Sequence, residues 1–187
     1  MHVSISALLS VLSLVVSITV AWLTLFRRGR LYMTQPVQIA FVFEAEKPKV
    51  FLRTLLYATG KRGYVVEGLF LKVRQPESTH TFGFWGYGER NELMVAGGLR
   101  VTEDGIAYNH HFLETAHTNG FQFVPGKYEI MVYARLVNRR AARHLSTVKL
   151  SLSAPDAMLM RIKGVGLLFT WDPDMNTYNC TVNTRPE

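Results

Sequence analysis

The chain has 187 residues, of which 48% are hydrophobic and 19% are charged, and its formal net charge is +7 at pH 7. This composition is too apolar for a disordered chain and too polar for a protein that crosses a membrane many times. The length suits one ordinary domain together with a smaller element. Because Cys180 is the only cysteine, no internal disulfide can form, which agrees with a reducing compartment.

The first element is an apolar segment, residues 3–26, that contains no Asp, Glu, Lys, Arg or His. As a helix, these roughly 24 residues would rise about 36 Å, which exceeds the bilayer hydrocarbon thickness of about 30 Å. A cleaved signal peptide is the alternative, but the segment lacks a basic start and a small-x-small cleavage site, and it is long for a signal. We therefore predict a retained transmembrane helix in residues 1–26.

Basic residues follow the apolar segment at residues 27–30 (RRGR), and nothing comparable precedes it. Basic flanks stay on the cytoplasmic side of a membrane. This predicts an N-terminus outside, a basic linker at residues 27–36 and a cytoplasmic domain at residues 37–187. Within the helix, Ser6/Ser10 and Ser13/Ser17 have the small-xxx-small spacing that allows a homo-oligomer through the anchor.

Beyond residue 36 the apolar pattern has a period of two, which is typical of β-strands. Roughly nine strands separated by Gly, Pro, Asn and Asp predict an all-β fold, an immunoglobulin-like antiparallel β-sandwich. The main predicted strands lie at residues 37–43, 49–58, 64–74, 82–88, 127–137, 145–153, 166–172 and 177–183. Alternation places these residues of the first and third strands on the core face: Val37, Ile39, Phe41, Phe43, Val65, Leu69, Leu71 and Val73.

The segment PGKYEIMVYARLV, residues 125–137, resembles strand F of immunoglobulin-like domains, where a turn leads into a tyrosine corner. Tyr128 would be the corner residue, with its hydroxyl returning to upstream backbone. The residues of this strand that would face the core are Ile130, Val132, Ala134 and Leu136. In the last strand Cys180 alternates with polar residues, so it is predicted to be a small core residue rather than a reactive thiol.

One helix and two turns complete the predicted domain. Residues 153–164 carry a helix start signal and good helix formers, which predicts a short helix near residues 155–162. The segment DPDMN, residues 172–176, begins like a calcium-binding EF-hand loop but lacks its later glycine and glutamate, so a hairpin turn is predicted. The segment TGKRG, residues 59–63, lacks the spacing of a phosphate-binding loop and is predicted to be a turn.

The segment NHHFLETAH offers four residues of the types that bind metals: His110, His111, Glu114 and His117. In a strand, His110 and His111 point to opposite faces, so only one of them could join a common site. Because the HExxH spacing is absent, we predict no metal, no cofactor and no catalytic residue, and a metal-dependent hydrolase is the least favoured function. A Ser-His-Asp arrangement cannot be singled out, since proximity is not visible in a sequence.

The basic residues form three clusters along the chain. In an immunoglobulin-like sandwich, the loops at residues 59–63 and 137–144 would emerge at the end where the first strand begins. All three clusters would then face the cytoplasmic leaflet, where anionic lipid attracts each nearby Lys or Arg by about 1 kcal/mol. The candidate membrane-binding or anion-binding residues are Arg27, Arg28, Arg30, Lys61, Arg62, Arg139, Arg140 and Arg143.

Nucleic acid is the competing partner for a basic surface. The aromatic residues that could stack on bases fall mostly at core-facing positions, and no RNP-like or cold-shock signature is present. We therefore rank nucleic acid below lipid and protein as a partner.

The segments RRGRLYMTQP, KVFLRTLLYATGKRGYVVEGLFLKVRQ and NHHF resemble a group of uncharacterised bacterial single-pass membrane-anchored proteins. This resemblance covers nearly the whole chain and implies a bacterial inner membrane, but no activity and no catalytic residue. Together with the residue patterns it leads us to expect a membrane-anchored, non-enzymatic interaction or scaffold module with a protein partner. The alternative is a ligand sensor or effector that binds a nucleotide or another anion at the basic loops.

Overall fold

The structure is a computed structural model that describes residues 4–26, 29–44, 47–88, 94–95, 97–115, 120–137 and 139–184. Helix α1, Ile5–Ala21, begins at Ser4, whose hydroxyl accepts a hydrogen bond from the Ala7 N–H. A π-helical turn, Trp22–Phe26, continues it. The combined helix of 22 residues is long and apolar enough to cross a membrane, and neither part has a buried residue. Its length and composition fit a membrane anchor or a signal sequence.

The rest of the described chain is mostly β-structure, with one short helix, α2, Ala154–Leu159, whose N-cap is Ser153. This helix lies within the segment that the sequence predicted to be helical. The strands are β1 Leu31–Met33, β2 Gln38–Glu44, β3 Lys47–Ala58, β4 Tyr64–Arg74, β5 Thr79–Tyr87, β6 Met94–Val95, β7 Leu99–Val101, β8 Ile106–Glu114, β9 Gly126–Leu136, β10 Arg143–Leu152, β11 Val165–Asp172 and β12 Thr177–Thr184.

All the described strands belong to one antiparallel sheet in the order β10-β9-β4-β5-β8-β3-β2-β11-β12, with β1 on β3, β6 on β5 and β7 on β4. Strand β1 lies beside β10, so the sheet is nearly closed into a barrel. The predicted all-β class is confirmed, but the immunoglobulin-like sandwich is not. Pairing of β5 with β8 from Phe82 to Tyr87 joins the β4 side of the sheet to the β3 side through continuous hydrogen bonds, whereas a sandwich keeps two sheets separate.

Strand β1 lies inside the segment that was predicted to be a linker. Leu31 pairs with Ala58 and Met33 pairs with Leu56, at the C-terminal end of β3. Both apolar residues of this short strand are buried, while Tyr32 between them points outward. The chain therefore enters the sheet a few residues after the apolar helix ends.

A β-bulge in β4 corrects the predicted core face of this strand. The pairing of β4 with β9 shifts between Val66 and Gly68. The extra residue reverses the alternation, so Val66 is buried while Val65, which was predicted to face the core, is 55% exposed. Beyond the bulge, Leu69, Leu71 and Val73 face the core as predicted. In β2 only Ile39 and Phe41 are fully buried. Phe43 faces the same side as Phe41, because its ring centroid lies 5.4 Å from that of Phe123, but it is 38% exposed. Val37, just before β2, is 54% exposed, since the sheet covers the ends of the paired segment less.

The core contains a cluster of aromatic rings around Phe41. Its ring centroid lies 4.7 Å from that of Phe123, 5.4 Å from Tyr128 and 5.0 Å from Phe169. The predicted core residues of β9 are all buried: Ile130, Val132, Ala134 and Leu136. Cys180 is partly buried against this core, and burial raises the pKa of its thiol to about 11. The raised pKa keeps the thiol protonated at pH 7, and the contact with the core agrees with the prediction of a small core residue.

The hairpin predicted at residues 172–176 connects β11 and β12. Oδ1 of Asp172 accepts hydrogen bonds from the N–H groups of Met175 at 3.1 Å and Asp174 at 3.0 Å. The bond from Met175 is the main reason that the pKa of the Asp172 carboxyl is lowered. Asn176 has a positive φ of 50°, a conformation that asparagine tolerates in turns.

Candidate functional sites at the two ends of the sheet

The chain between α1 and β1 is hydrogen-bonded to the turn between β3 and β4. The Arg30 N–H donates to Oγ1 of Thr59 at 2.7 Å, and the Thr59 N–H donates to the Arg30 carbonyl at 2.9 Å. The Tyr64 hydroxyl donates to the Gly29 carbonyl at 2.8 Å. We call this end of the sheet, where the helix joins the domain, the anchor end.

Gly29 allows the close approach of these two segments. Its φ is +68°, and a Cβ atom added to it would lie 2.6 Å from the Gly60 backbone nitrogen. A side chain at this position would therefore be strained by its backbone conformation and would also collide with the turn. These bonds fix Gly29 and Arg30 beside the turn that bears Lys61 and Arg62, which follow Gly60 and are exposed.

The connection between β9 and β10 lies at the same end of the sheet. Leu136 pairs with Val66, and the Val137 N–H donates to the Val65 carbonyl at 3.1 Å, so this connection follows directly beside the start of β4. The structure thus brings together six of the eight candidate basic residues, and Arg27 and Arg28 lie outside the described residues. The six are Arg30, Lys61, Arg62, Arg139, Arg140 and Arg143.

Two acidic residues moderate the charge of the anchor end. Glu103 and Asp104 lie on the turn after β7, which is held there by a hydrogen bond of 3.0 Å from the Ala58 N–H to the Thr102 carbonyl. Both acidic side chains are exposed, as are Lys61, Arg62, Arg139 and Arg140. Basic side chains outnumber acidic ones on these turns, so the anchor end has a net positive charge.

The four predicted metal-binding candidates are not brought together. His110 faces the core, whereas His111 faces the other side of the sheet, with its ring centroid 5.5 Å from that of Phe51. Glu114 is hydrogen-bonded to His80, and His117 lies outside the described residues. Among the residues that the structure describes, no group of three or more His, Cys, Asp or Glu is placed to hold a metal ion.

His110 is a fully buried histidine on β8. The pKa of His110 is lowered to about 4, mainly by burial and secondly by the charge of His111, while the Thr54 backbone acts to raise it. The ring is therefore neutral at pH 7. Its position between Leu52 on β3 and Tyr87 on β5 makes it part of the packed core rather than a ligand at an open site.

At the opposite end, which we call the far end, side chains form a continuous chain of hydrogen bonds. His80 Nδ1 lies 3.2 Å from Glu114 Oε1, and His80 Nε2 lies 3.0 Å from Ser78 Oγ. Ser78 Oγ also lies 3.1 Å from Gln75 Oε1, and Gln75 Nε2 donates to the Tyr128 hydroxyl at 2.9 Å. No sequence pattern indicates this series of hydrogen bonds, because Glu114 and Tyr128 are distant in sequence from residues 75–80.

The same hydrogen bonds hold residues 120–124 across the far end. Gln75 Nε2 donates to the Gln122 carbonyl at 2.7 Å, and the Tyr128 hydroxyl donates to the Val124 carbonyl at 2.7 Å. The predicted hydrogen bond from the Tyr128 hydroxyl to upstream backbone is thus confirmed. Burial raises the pKa of Tyr128 to about 12, although the bonds with Gln75 and Val124 act to lower it.

An open cavity of about 570 Å³ lies next to this segment. Phe121 lines the cavity, and its ring also meets the ring of His80 nearly at right angles, with the centroids 5.0 Å apart. Other residues that line it are Phe43, Gln122, Phe123, Ala157, Met160 and Arg161. Apart from the exposed Arg161 and the Gln122 backbone region, its side chains are mostly apolar, so it can accept an apolar group.

Comparison of the chain with protein-family models, with curated proteins and with solved structures gave no match. The function must therefore be inferred from the residues and geometry of the two ends.

Proposed function

We propose that the protein is a membrane-anchored interaction module of the bacterial inner membrane, with its N-terminus outside and its β-domain in the cytoplasm. The anchor end would lie on the cytoplasmic leaflet and contact anionic lipid, and the rest of the domain would bind a protein partner. The observation that carries this proposal is the bonding of Gly29 and Arg30 to the turn that bears Lys61 and Arg62.

The length of the connection supports a short distance between the basic residues and the membrane. Only residues 27–30 separate the end of the helical segment at Phe26 from β1 at Leu31. At about 3.5 Å per residue, four residues reach at most roughly 14 Å, which is less than twice the Debye length of about 8 Å in physiological salt. A basic residue that lies within a Debye length of anionic lipid contributes about 1 kcal/mol, and this attraction is reduced by the repulsion of Glu103 and Asp104.

An edge strand supports a protein partner. In the part of the chain that the structure describes, β12 pairs with β11 alone, through eight residues in unbroken register. Edge strands commonly resist pairing with other chains by means of charged residues or proline. This strand contains neither. An extended segment of a partner could add to this edge through main-chain hydrogen bonds.

Vesicle binding tests the lipid contact. A fragment that begins at Gly29 keeps the bonds to Thr59 and Tyr64. It loses the helix, which has no buried residue, together with the candidate residues Arg27 and Arg28. We expect this fragment to co-sediment with vesicles that contain anionic lipid, less so as salt increases. Replacing Lys61 and Arg62 by Gln should weaken binding about tenfold or more, because two contributions of about 1 kcal/mol are lost.

The far end supplies the matched control for this experiment. Arg161 and Lys163 are also exposed basic residues, but they lie near the start of β11, at the opposite end of the sheet. Their replacement by Gln removes the same charge and should change vesicle binding much less. Equal co-sedimentation with neutral and anionic vesicles, or equal losses in the two double variants, would reject the orientation that we propose.

A second candidate function is that of a sensor or effector for a nucleotide or another anion. Convergence of basic residues from three separate segments at the anchor end favours it, since phosphate groups are bound by such clusters. A ligand that binds only the folded state must raise the melting temperature. A thermal-shift screen with nucleotides and inorganic phosphate should therefore give an increase that the variant with Gln at positions 61 and 62 lacks.

The apolar helix would also allow a homo-oligomer. Ser6 and Ser10 lie one turn apart on α1, and the Ser10 hydroxyl donates to the Ser6 carbonyl at 2.9 Å, so this small residue carries no unpaired donor. Energy transfer between labelled full-length copies in bilayers should fall when both serines are replaced by Leu.

A further inference from the structure

We propose that Ser78, His80 and Glu114 form a nucleophile, base and orienting acid that cleave carboxylic esters with an apolar acyl group. This inference goes beyond the membrane-anchored interaction module, and it assigns an activity to a domain whose sequence predicted none. It concerns the far end of the sheet, so it does not depend on the lipid contact of the anchor end.

The three side chains have the relative positions that such chemistry needs. Ser78 Oγ lies 3.0 Å from His80 Nε2, and Glu114 Oε1 lies 3.2 Å from His80 Nδ1. A nucleophile within hydrogen-bond reach of a base, and a base held by a third group, is the arrangement by which hydroxyl nucleophiles are activated. This arrangement is recognised by geometry and roles and not by the order of residues in the chain.

The carboxylate of Glu114 selects the useful tautomer of the imidazole. An ionised carboxylate only accepts hydrogen bonds, so it holds the proton of neutral His80 on Nδ1 and leaves the lone pair of Nε2 directed at the Ser78 hydroxyl. Gln75 Oε1, at 3.1 Å, is a second acceptor for the same hydroxyl. The imidazole nitrogen is the more basic of the two acceptors, so it is the one that can remove the proton.

The surroundings hold these groups in place. The side chains of His80 and Glu114 are only 13% and 11% exposed, which limits competition from water. Ser78 lies on the turn between β4 and β5, which the Gln75 N–H closes by donating to the Ser78 carbonyl at 2.8 Å. Ser78 itself is only partly buried, and the neighbouring turn residues Pro76 and Glu77 are exposed. A substrate could therefore approach the hydroxyl from the solvent side of the turn.

The class of substrate is indicated by the cavity that Phe121, a ring in contact with His80, helps to line. Phe121 packs against His80 and also lines the cavity of about 570 Å³, together with Phe43, Phe123 and Met160. These side chains offer an apolar surface to an acyl chain, and burial of each CH₂ group of that chain would favour binding. A carboxylic ester with an apolar acyl group combines this preference with a carbonyl carbon that a serine can attack.

The reaction follows the usual two steps of acyl transfer to water. Ser78 Oγ forms a bond to the carbonyl carbon while its proton passes to His80 Nε2; the bond to the alcohol oxygen then breaks, and the alcohol leaves with that proton. Water attacks the acyl-serine next, giving one proton to His80, and the carboxylic acid departs as Ser78 recovers its hydrogen. No oxidant or reductant is required. His80 acts as the proton carrier in both steps, and Glu114 is a positioning residue.

The experiment uses the full chain in detergent micelles with an alkyl fluorophosphonate, which phosphonylates activated serines with loss of fluoride. We expect mass spectrometry to find the adduct on Ser78, and p-nitrophenyl butyrate to be hydrolysed until the adduct forms. His80→Asn should slow labelling by about 10²- to 10⁴-fold, the range of general-base catalysis. Glu114→Gln should slow it as well, and Ser78→Ala should abolish it.

A second hydroxyl and imidazole in the chain provide the matched control. His144 Nε2 lies 2.8 Å from Thr147 Oγ1 on the exposed face of β10, and no carboxylate is hydrogen-bonded to His144 in the described part of the chain. Thr147→Ala should leave labelling of Ser78 and hydrolysis of the ester unchanged.

Melting temperatures of all variants separate loss of reactivity from loss of folding. The adduct position in the unmodified protein decides the question even if a variant fails to fold. Absence of an adduct on Ser78 in the folded protein, or equal labelling rates in the unmodified chain and a folded His80→Asn variant, would overturn the proposal. The hydrogen-bonded chain would then serve only to hold residues 120–124.

Discussion

The two ends of the sheet are built in different ways. At the anchor end, the bonds that join the helix connection to the sheet use backbone groups of Gly29 and Arg30, and the charged side chains point into solvent. At the far end, most bonds link side chains to one another, and an aromatic cluster lies beside them, with Tyr128 only 1% exposed. Exposed charges contribute little to stability, whereas buried rings and buried hydrogen bonds contribute much more. The exposed charged residues of the anchor end can therefore vary in sequence at a small cost in folding, whereas the buried residues of the far end cannot.

The largest expected difference in stability between the two ends comes from the aromatic cluster around Phe41. Phe41 is fully buried and contacts three other rings, so Phe41→Ala should lower the free energy of unfolding by about 3 to 5 kcal/mol. Tyr32→Ala at the anchor end removes a ring that is 39% exposed and has one ring contact, with Tyr57. Its cost should be about 1 kcal/mol or less.

Urea unfolding of the two variants, followed by tryptophan fluorescence, measures both costs on the same scale. Similar losses at Phe41 and Tyr32 would show that stability is spread evenly along the sheet, and the contrast between the two ends would then fail.

Acid sensitivity should come from the buried histidine in the middle of the sheet. His110 has a folded pKa of about 4, below the value of about 6.5 for an exposed histidine. The unfolded chain therefore binds the proton first, and stability falls as the pH decreases from about 6.5 to about 4. The full contribution, about 3 kcal/mol from 1.36 kcal/mol per pKa unit, is present above pH 6.5.

Replacing His110 by Phe removes the group that titrates and keeps an aromatic ring packed near Phe84 and Phe112. In urea titrations at pH 4.5 and 7, His110→Phe should lose most of the pH dependence shown by the unmodified protein. His144→Gln, at an exposed histidine, should retain it. A pH dependence that survives in His110→Phe would assign the acid sensitivity to other groups.

Local sequence patterns predicted the positions of the strands well, but they did not predict which strands pair with one another. β4 was predicted at the residues where it occurs, since its period-two pattern is bounded by glycine and proline turns. Its core face was wrong at Val65, because pairing with β9 introduces a bulge between Val66 and Gly68. The sequence marks this bulge only by Glu67, an acidic residue at a predicted core position, and by Gly68. The closed sheet depends on β5 pairing with β8, a long-range contact that alternation cannot indicate.

The two candidate sites differ in the same way. Basic residues that are adjacent in sequence can be recognised directly, and Lys61 and Arg139 lie on turns at one end of the sheet. The sandwich from which their common location was predicted is not the fold, and their binding role stays a prediction. Glu114 was noted only as a metal-ligand candidate. Its hydrogen bond to His80 joins residues 34 positions apart, and only the alternation of Ser78 and His80 at the start of β5 could have signalled a shared face.

The smallest expected difference in stability is between two substitutions that each remove a tyrosine hydroxyl, one at each end of the sheet. The Tyr128 hydroxyl accepts from Gln75 Nε2 and donates to the Val124 carbonyl, and it is buried. Tyr128→Phe leaves both partners without this bond, so it should cost about 1 to 3 kcal/mol. The Tyr64 hydroxyl donates only to the Gly29 carbonyl, in a partly exposed position where water can replace it. Tyr64→Phe should therefore cost about 0.5 to 1 kcal/mol but should increase amide hydrogen exchange at residues 29 and 30. If Tyr64→Phe costs as much as Tyr128→Phe, the join between helix and sheet is a structural element in its own right, and the anchor end is not the tolerant end of the molecule.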